Sequence, residues 1–225
     1  HIITISNFVK NDLIKFTGVN PEKITVTLES ADELPKGNEP VDELIGKKFI
    51  MYIGRPTPHK NLRRLIDAFA LLQKKYPDLT LALAGKKDSN YARHETYVKE
   101  RGIKNVVFTG FISDEQLRWM YENTAVYCFP SLSEGFGLPG LEAMLHGAPV
   151  ASSTATCLPE THGDAAHYFD PFSVEDIAKS IDDILSDDKL RNELVKKGKK
   201  HVKTFSWQRM AEQTLAVYEK YGRKS

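Results

Sequence analysis

Strand-like apolar runs alternate with helical patterns along most of the chain, and this alternation constrains the fold more than any other feature. Runs rich in β-branched and aromatic residues predict strands at 49–53, 79–84, 106–109, 126–129 and 149–152. Apolar residues at helical spacing predict helices between them, at 61–75, 91–101, 114–122 and 139–146. Because repeated βα units build a parallel sheet with helices on both faces, the sequence predicts an α/β fold of this kind.

The chain divides by pattern into a central α/β part and two flanking parts. Helical patterns alone follow residue 171, at 174–185, 189–202 and 207–221, and predict a helical C-terminal cover. A separate βαβ-like piece precedes a stretch rich in Pro, Gly and charged residues. We therefore expect the end of a preceding domain or a crossover segment at 1–32, a linker at 33–46, a ligand-binding domain at 47–205 and a C-terminal helix at 206–225.

Composition excludes several classes of protein. The 31 basic and 30 acidic residues nearly cancel, so no overall charge favours nucleic acid or an anionic membrane. The two cysteines support neither a disulfide framework nor a zinc site, which favours a reducing, cytoplasmic compartment. No apolar run is long enough to span a bilayer, and the start is unlike a signal peptide. Because the sequence opens at His1 inside a strand-like run, without an initiator Met, we expect it to be part of a longer protein.

The loop after the strand at 49–53 is the first candidate site, because ligands of a doubly wound sheet bind beyond the carboxyl ends of its strands. It holds Gly54, Arg55 and Lys60 just before a helix. A close backbone approach, fixed cations and a helix N-terminus suit a diphosphate. The two cations would also fit an ordinary solvated loop, and this loop alone does not decide between the two interpretations.

The loop after the strand at 126–129 is the second candidate site. Gly135 and Gly137 expose backbone N–H groups before a helix whose N-terminal dipole faces the same sheet edge. Glu134 lies just before this helix and Glu142 within its first two turns, so both carboxylates could reach one ligand. Taken alone, Glu134 could instead cap the helix, and Glu142 could be a solvated charge.

The spacing Glu-x7-Glu around Gly-Phe-Gly resembles the motif of retaining GT-B glycosyltransferases of family 4, a branch of the group 1, mannosyltransferase-like enzymes. Other segments resemble the same family along nearly the whole chain: 4–8, 54–61, 84–86, 108–112, 158–160 and 168–171. The resemblance implies the Rossmann-like C-terminal, donor-binding domain of a GT-B enzyme. It also implies that the partner N-terminal domain, which binds the acceptor, is missing.

The resemblance implies transfer of a hexose, mannose or glucose, from a GDP- or UDP-linked donor with retention of configuration. It assigns catalysis to Arg55 and Lys60, which would stabilise the leaving diphosphate, and to Glu134, which would hold the sugar and steady its positive charge. Donor binding would fall to the following residues: Gly54, Gly85, Gly110, Phe111, Ile112, Gly135, Phe136, Gly137, Leu138 and Glu142. Since no Asp-x-Asp motif follows a strand, we expect no metal and no cofactor beside the nucleotide-sugar donor.

Three alternatives stay open at this stage. The chain could bind a nucleotide sugar without catalysis of its own, or it could belong to another GT-B enzyme such as an epimerase or a phosphorylase. A dinucleotide-dependent oxidoreductase fits less well, because no Gly-x-Gly-x-x-Gly follows the first strand of the central part. Residues 28–32 also depart from the Asn-Gly that the family commonly carries near its hinge, and we assign no role to His162. Any peripheral association with a membrane would come through the missing part.

Overall fold

The chain begins with a small βαβ unit. In the computed structural model, which describes residues 1–37 and 39–222, β1 (Ile2–Thr4) and β2 (Ile24–Val26) form a two-stranded parallel sheet. Helix α1 (Asn7–Thr17) connects them. It begins where the Ser6 hydroxyl accepts a hydrogen bond from the Val9 amide, and it ends at Gly18, whose φ of 68° is left-handed. Residue 38 of the predicted linker and residues 223–225 of the predicted C-terminal helix lie outside the described residues.

A parallel sheet of six strands forms the centre of the described part of the chain. Its strands are β3 (Phe49–Ile53), β4 (Thr80–Ala84), β5 (Val106–Gly110), β6 (Val126–Phe129), β7 (Val150–Ser153) and β8 (Ala166–Phe169). Their spatial order is β5-β4-β3-β6-β7-β8, so the chain starts in the middle, builds one half outwards and then returns to build the other. The fold is a Rossmann-like, doubly wound α/β fold, as predicted.

Helices cover both faces of this sheet. They are α2 (Leu62–Leu72), α3 (Ser89–Glu100), α4 (Asp114–Asn123), α5 (Leu138–Leu145), α6 (Leu158–His162), α7 (Val174–Ser186) and α8 (Asp188–His201). The last helix, α9 (Trp207–Tyr221), contacts the N-terminal unit, where the Tyr221 ring stacks on that of His1. Two hydrophobic cores result, since side chains alternate across each strand. One core packs α2 and α7 against Ile50 and Cys128, and the other packs α4 and α5 against Met51 and Tyr127.

The predicted helix starts agree with local capping. Ser113 and Gln116 form a reciprocal capping box at the start of α4. Asp187 caps α8 and Ser206 caps α9, which accounts for the breaks between the C-terminal helices. These helices form the C-terminal cover that the sequence predicts.

Three features differ from the sequence-based expectation. Helix α6 is absent from the predicted helices because its five residues are too few to show a helical period. Strand β8 is absent from the predicted strands because it includes His167 and Tyr168, a pattern that lacks a clear apolar run. In the stretch expected to be a linker, Val41 and Leu44 are buried in the core beside α4. That part of the stretch therefore packs on the main sheet.

Candidate functional site

The site lies where the strand order reverses. Strands β3 and β6 are neighbours, and the chain leaves them towards opposite halves of the sheet. In a doubly wound sheet the loops after two such strands diverge, so we expect a ligand-binding crevice at the carboxyl ends of β3 and β6. The first loop leads into α2 and the second into α5, so the crevice lies between two helix N-termini.

A lysine and a glutamate meet in this crevice. The Nζ atom of Lys60 lies 2.6 Å from Oε1 of Glu134, and the two side chains are only 20% and 13% exposed. The two loops are also joined by their backbones, because the Leu132 amide donates to the His59 carbonyl over 2.7 Å. A charge pair with so little water is held in a fixed geometry, and removing either partner would leave the other charge uncompensated.

Arg55 points away from this pair. Its side chain is 73% exposed, and its Nε atom lies 3.3 Å from Oδ2 of Asp88, the residue that caps α3. A hydrogen bond from the Tyr91 amide, with a further one from Arg55, holds the pKa of Asp88 below its usual value. The structure thus brings Lys60 and Glu134 together, and it pairs Arg55 with Asp88, which lies between β4 and α3.

The first turn of α5 presents a backbone donor to the crevice. Gly137 starts the helix with a φ of 103°, a conformation that favours glycine, and within the described residues no side chain caps this end. Pro139 has no N–H, and the Gly140 amide already donates to the Gly137 carbonyl over 3.1 Å, so Leu138 is the first-turn residue whose amide is available to an anion. The Phe136 ring is buried edge-on against Phe205, so only the backbone of Phe136 can serve a ligand. The carbonyl of Gly135 accepts a hydrogen bond from the Ser6 hydroxyl over 2.7 Å.

Glu142 lies in the second turn of α5. Its Oε2 atom accepts a hydrogen bond from the Tyr121 hydroxyl over 3.2 Å. Burial raises the pKa of Glu142, while that hydrogen bond opposes the rise. Glu142 is therefore a half-buried, oriented carboxylate, unlike a solvated helix charge.

Three glycines connect the ends of β3, β4 and β5. The Gly54 amide donates to the Ala84 carbonyl, and the Gly85 amide donates to the Gly110 carbonyl, each over 3.0 Å. A Cβ atom on Gly85 would lie 2.3 Å from the Gly54 carbonyl oxygen, so this close approach requires glycine. Beyond Gly110, Phe111 is 86% exposed, and Ile112 is half-buried. Since neighbouring strands are about 4.8 Å apart, these two residues lie about 10 Å along the sheet edge from β3.

Two residues that the sequence analysis did not single out support the second loop. The Thr156 hydroxyl, in the loop after β7, accepts a hydrogen bond from the Glu134 amide over 3.0 Å. His162 is fully buried beneath α5, with Nε2 3.3 Å from the Gly137 carbonyl and Nδ1 3.1 Å from the Ser152 hydroxyl. No local pattern reveals such contacts, because their partners lie far away in the sequence.

The N-terminal unit also contacts the site. The Glu160 carboxylate accepts hydrogen bonds from the amides of Asn7 and Phe8, over 2.8 and 2.9 Å. Together with the contact between Ser6 and Gly135, these bonds fasten the start of α1 to the loop that carries Glu134.

Within residues 1–37 and 39–222, no three potential metal-binding side chains come together. Among the helices described above, none has both the length and the apolar character that crossing a membrane requires.

Comparisons with known proteins agree on one family. The family model described as Glycosyl transferases group 1 matches residues 37–201. O-antigen chain mannosyltransferase B of Escherichia coli is 32% identical over 234 residues, which cover 97% of this chain and 60% of that protein. MMP alpha-(1->4)-mannosyltransferase of Mycolicibacterium hassiacum is 32% identical over 224 residues, which cover 97% of this chain and 54% of that protein.

A solved structure shows the same architecture. Sucrose-phosphate synthase from Thermosynechococcus elongatus matches this chain with a TM-score of 0.81 and 25% identity, over 97% of this chain and 57% of that protein. The chain therefore spans between 54% and 60% of the length of these three proteins.

Proposed function

The chain belongs to the glycosyl transferases group 1 family, and from this premise we propose that it is the donor-binding part of a glycosyltransferase. The complete protein would transfer a hexose, with mannose as the first candidate, from a nucleoside diphosphate to an acceptor. Mannose is favoured over glucose because two relatives at 32% identity are mannosyltransferases by name.

The observation that carries the proposal is the pair of Lys60 and Glu134 in the crevice beside the open N-terminus of α5. Breaking the bond between a sugar and a diphosphate places negative charge on the diphosphate and positive charge on the sugar ring. Fixed groups of opposite charge, held away from water, stabilise such a separation. Lys60 and the Leu138 amide at the start of α5 would bind the diphosphate, and Glu134 would bind the sugar.

Donor binding would rearrange the charges at the site. A diphosphate oxygen would replace Glu134 as the partner of Lys60, and the carboxylate would then be free to accept hydrogen bonds from the sugar hydroxyls. Arg55 could leave Asp88 and join the diphosphate at small cost, because an exposed ion pair contributes little to stability. Glu142 would accept from the ribose hydroxyls, and the backbone near Phe111 and Ile112 would hold the base.

We further propose that the reaction retains configuration. The bond from the anomeric carbon to the diphosphate would break with its electron pair on the diphosphate. The acceptor oxygen would form its bond on the same face of the sugar, and its proton would pass to the departing diphosphate. Since Lys60, Arg55 and the Leu138 amide would meet the charge of the diphosphate, we propose that no metal is needed. The acceptor and its binding residues belong to the part of the enzyme outside this chain.

Calorimetric titration with GDP-mannose, UDP-glucose, GDP and UDP in the presence of EDTA tests the proposal. We expect one base to be preferred, and we expect Lys60→Ala to weaken binding by roughly 10- to 100-fold, the loss of a charged hydrogen bond. Lys47→Ala is the matched control, because Lys47 is an exposed lysine at the opposite end of β3. Equal affinity in both variants, or no binding by a folded wild-type chain, would contradict the proposed donor site.

A second assay distinguishes a glycosyltransferase from a binding module that has no catalytic activity. The protein including its acceptor-binding part would be incubated with a labelled donor and acceptor. Donor binding without transfer would favour the binding module.

A further inference from the structure

The loop between β7 and α6 contains an unusual backbone conformation. Thr156 has a φ of 55°, in the left-handed region. The other non-glycine residues with positive φ in the described part of the chain are Asn61 and Asn105, and asparagine tolerates this region. For a β-branched residue the same conformation is a genuine outlier, because its Cβ substituents crowd the backbone.

The side chain of Thr156 shows what this conformation achieves. Its Oγ1 atom accepts a hydrogen bond from the amide of Glu134 over 3.0 Å. The thiol of the next residue, Cys157, donates to the carbonyl of Glu134 over 3.3 Å. Burial raises the pKa of Cys157 to about 12, so that this thiol keeps its proton. Both backbone groups of Glu134 are therefore held by one loop of the neighbouring strand.

The loop itself is anchored to β7. The hydroxyl of Ser153, the last residue of that strand, accepts a hydrogen bond from the Ala155 amide over 2.9 Å. The position of Glu134 relative to the sheet is thus set through β7, while Lys60 is set through the loop after β3. Their 2.6 Å approach depends on both anchors.

The choice of threonine is informative. Glycine at position 156 would adopt a φ of 55° without steric crowding. A threonine there is favourable only if its hydroxyl contributes something that glycine cannot. The contribution seen in the structure is the hydrogen bond to the Glu134 amide. Return of Thr156 to a negative φ would turn the loop backbone and move this hydroxyl away from that amide.

We propose that Thr156 is a positioning residue for the donor sugar: its strained backbone and its hydroxyl hold Glu134 where the carboxylate meets both Lys60 and the sugar. This inference rests on the proposed function. The inference predicts that substitution of Thr156 weakens the contribution of the sugar to the affinity for the nucleotide sugar. The nucleoside diphosphate, which would be bound by Lys60 and α5, should be affected much less.

The experiment compares Thr156→Gly, Thr156→Ser and Thr156→Val by calorimetry with GDP-mannose against GDP, and with UDP-glucose against UDP. The glycine variant relieves the backbone but lacks the hydroxyl, the serine variant keeps the hydroxyl, and the valine variant keeps the shape without it. We expect the ratio of nucleotide-sugar affinity to nucleotide affinity to fall roughly 5- to 10-fold in Thr156→Gly and Thr156→Val. In Thr156→Ser we expect this ratio to stay at the wild-type value.

Thermal unfolding of the same proteins separates positioning from general destabilisation. Thr156→Gly exchanges backbone strain for one lost hydrogen bond, so its melting temperature should stay within about 2 °C of wild type. Loss of sugar discrimination at an unchanged melting temperature would support the inference. An unchanged affinity ratio in Thr156→Gly would overturn it, even if Thr156→Val failed to fold. A wild-type chain that bound no nucleotide would overturn the proposed function, and this inference with it.

Discussion

Gly140 and His162 form a contact that allows a sharp test of how α5 is positioned. The His162 ring is completely buried, and it is held between the Ser152 hydroxyl and the Gly137 carbonyl. Since a carbonyl can only accept, Nε2 must carry the proton, and Nδ1 then accepts from Ser152. A Cβ atom on Gly140 would lie 2.2 Å from Nε2 and 2.5 Å from Cε1 of this ring. Ordinary contacts between such atoms are about 3.5–4.0 Å, so the added Cβ atom would come too close by about 1 Å or more.

We predict that the effect of Gly140→Ala on the free energy of unfolding depends on residue 162. The substitution should destabilise the wild-type protein and stabilise the His162→Ala variant. In the wild-type background, overpacking should destabilise by about 1–3 kcal/mol even after the helix propensity of alanine is counted. His162→Ala alone should cost about 2–5 kcal/mol, because it leaves a cavity beneath α5. In that background the overlap is gone, and Gly140→Ala should stabilise by up to about 1 kcal/mol.

Urea unfolding of the four proteins, followed by circular dichroism, measures this cycle. The free energies are comparable if the four denaturant slopes agree. Substitutions of residues in direct contact show coupling free energies of about 0.5–3 kcal/mol. The predicted change from destabilisation to stabilisation by Gly140→Ala requires a coupling free energy of about 1 kcal/mol or more. Equal destabilisation by Gly140→Ala in both backgrounds would refute the assigned contact, and with it the role of His162 in supporting the first turn of α5.

Three further predictions concern pH, the strand ends and a helix cap. Burial lowers the pKa of His162 from 6.5 to about 4. As the pH falls, the unfolded chain therefore binds a proton before the folded protein does. The free energy of unfolding should decrease by about 3 kcal/mol between pH 6.5 and about pH 4. His162→Gln should flatten that part of a pH series of urea midpoints. Gly85→Ala should destabilise by about 3 kcal/mol, because its Cβ would lie 2.3 Å from the Gly54 carbonyl oxygen, and calorimetry should show weaker nucleotide binding. Ser113→Ala should lose about 1 kcal/mol of stability in urea with nucleotide affinity unchanged.

The sheet was largely predictable because its strands carry their signal locally. The predicted bounds of Phe49–Ile53 and Val126–Phe129 agree with the structure, since both are apolar runs buried from both faces. Strand β8 lies at the edge of the sheet, where a short segment that includes polar residues can still form a strand. Its pattern was therefore too weak to separate it from the turn before it.

The site was predictable only as far as loop chemistry allows. Glycines and charges after strands pointed to the loops that hold Lys60 and Glu134, and the fold brings these two together. The same pattern could not show that Arg55 pairs with Asp88, because that contact depends on where α3 begins. Contacts such as that of Thr156 with Glu134 depend on the packing of strands that are distant in sequence.

The loop that carries Glu134 and Gly137 is held from more directions than its own sequence suggests. Thr156 holds it from β7, and His162 holds it from beneath α5. Ser6 holds it from the N-terminal unit, which Glu160 ties to the same region. A group that must stabilise charge gains from such support, because a preorganised group need not reorganise when the charge forms. Because Ser6 donates directly to the Gly135 carbonyl, a displacement of the N-terminal unit would act on this loop without an intermediate.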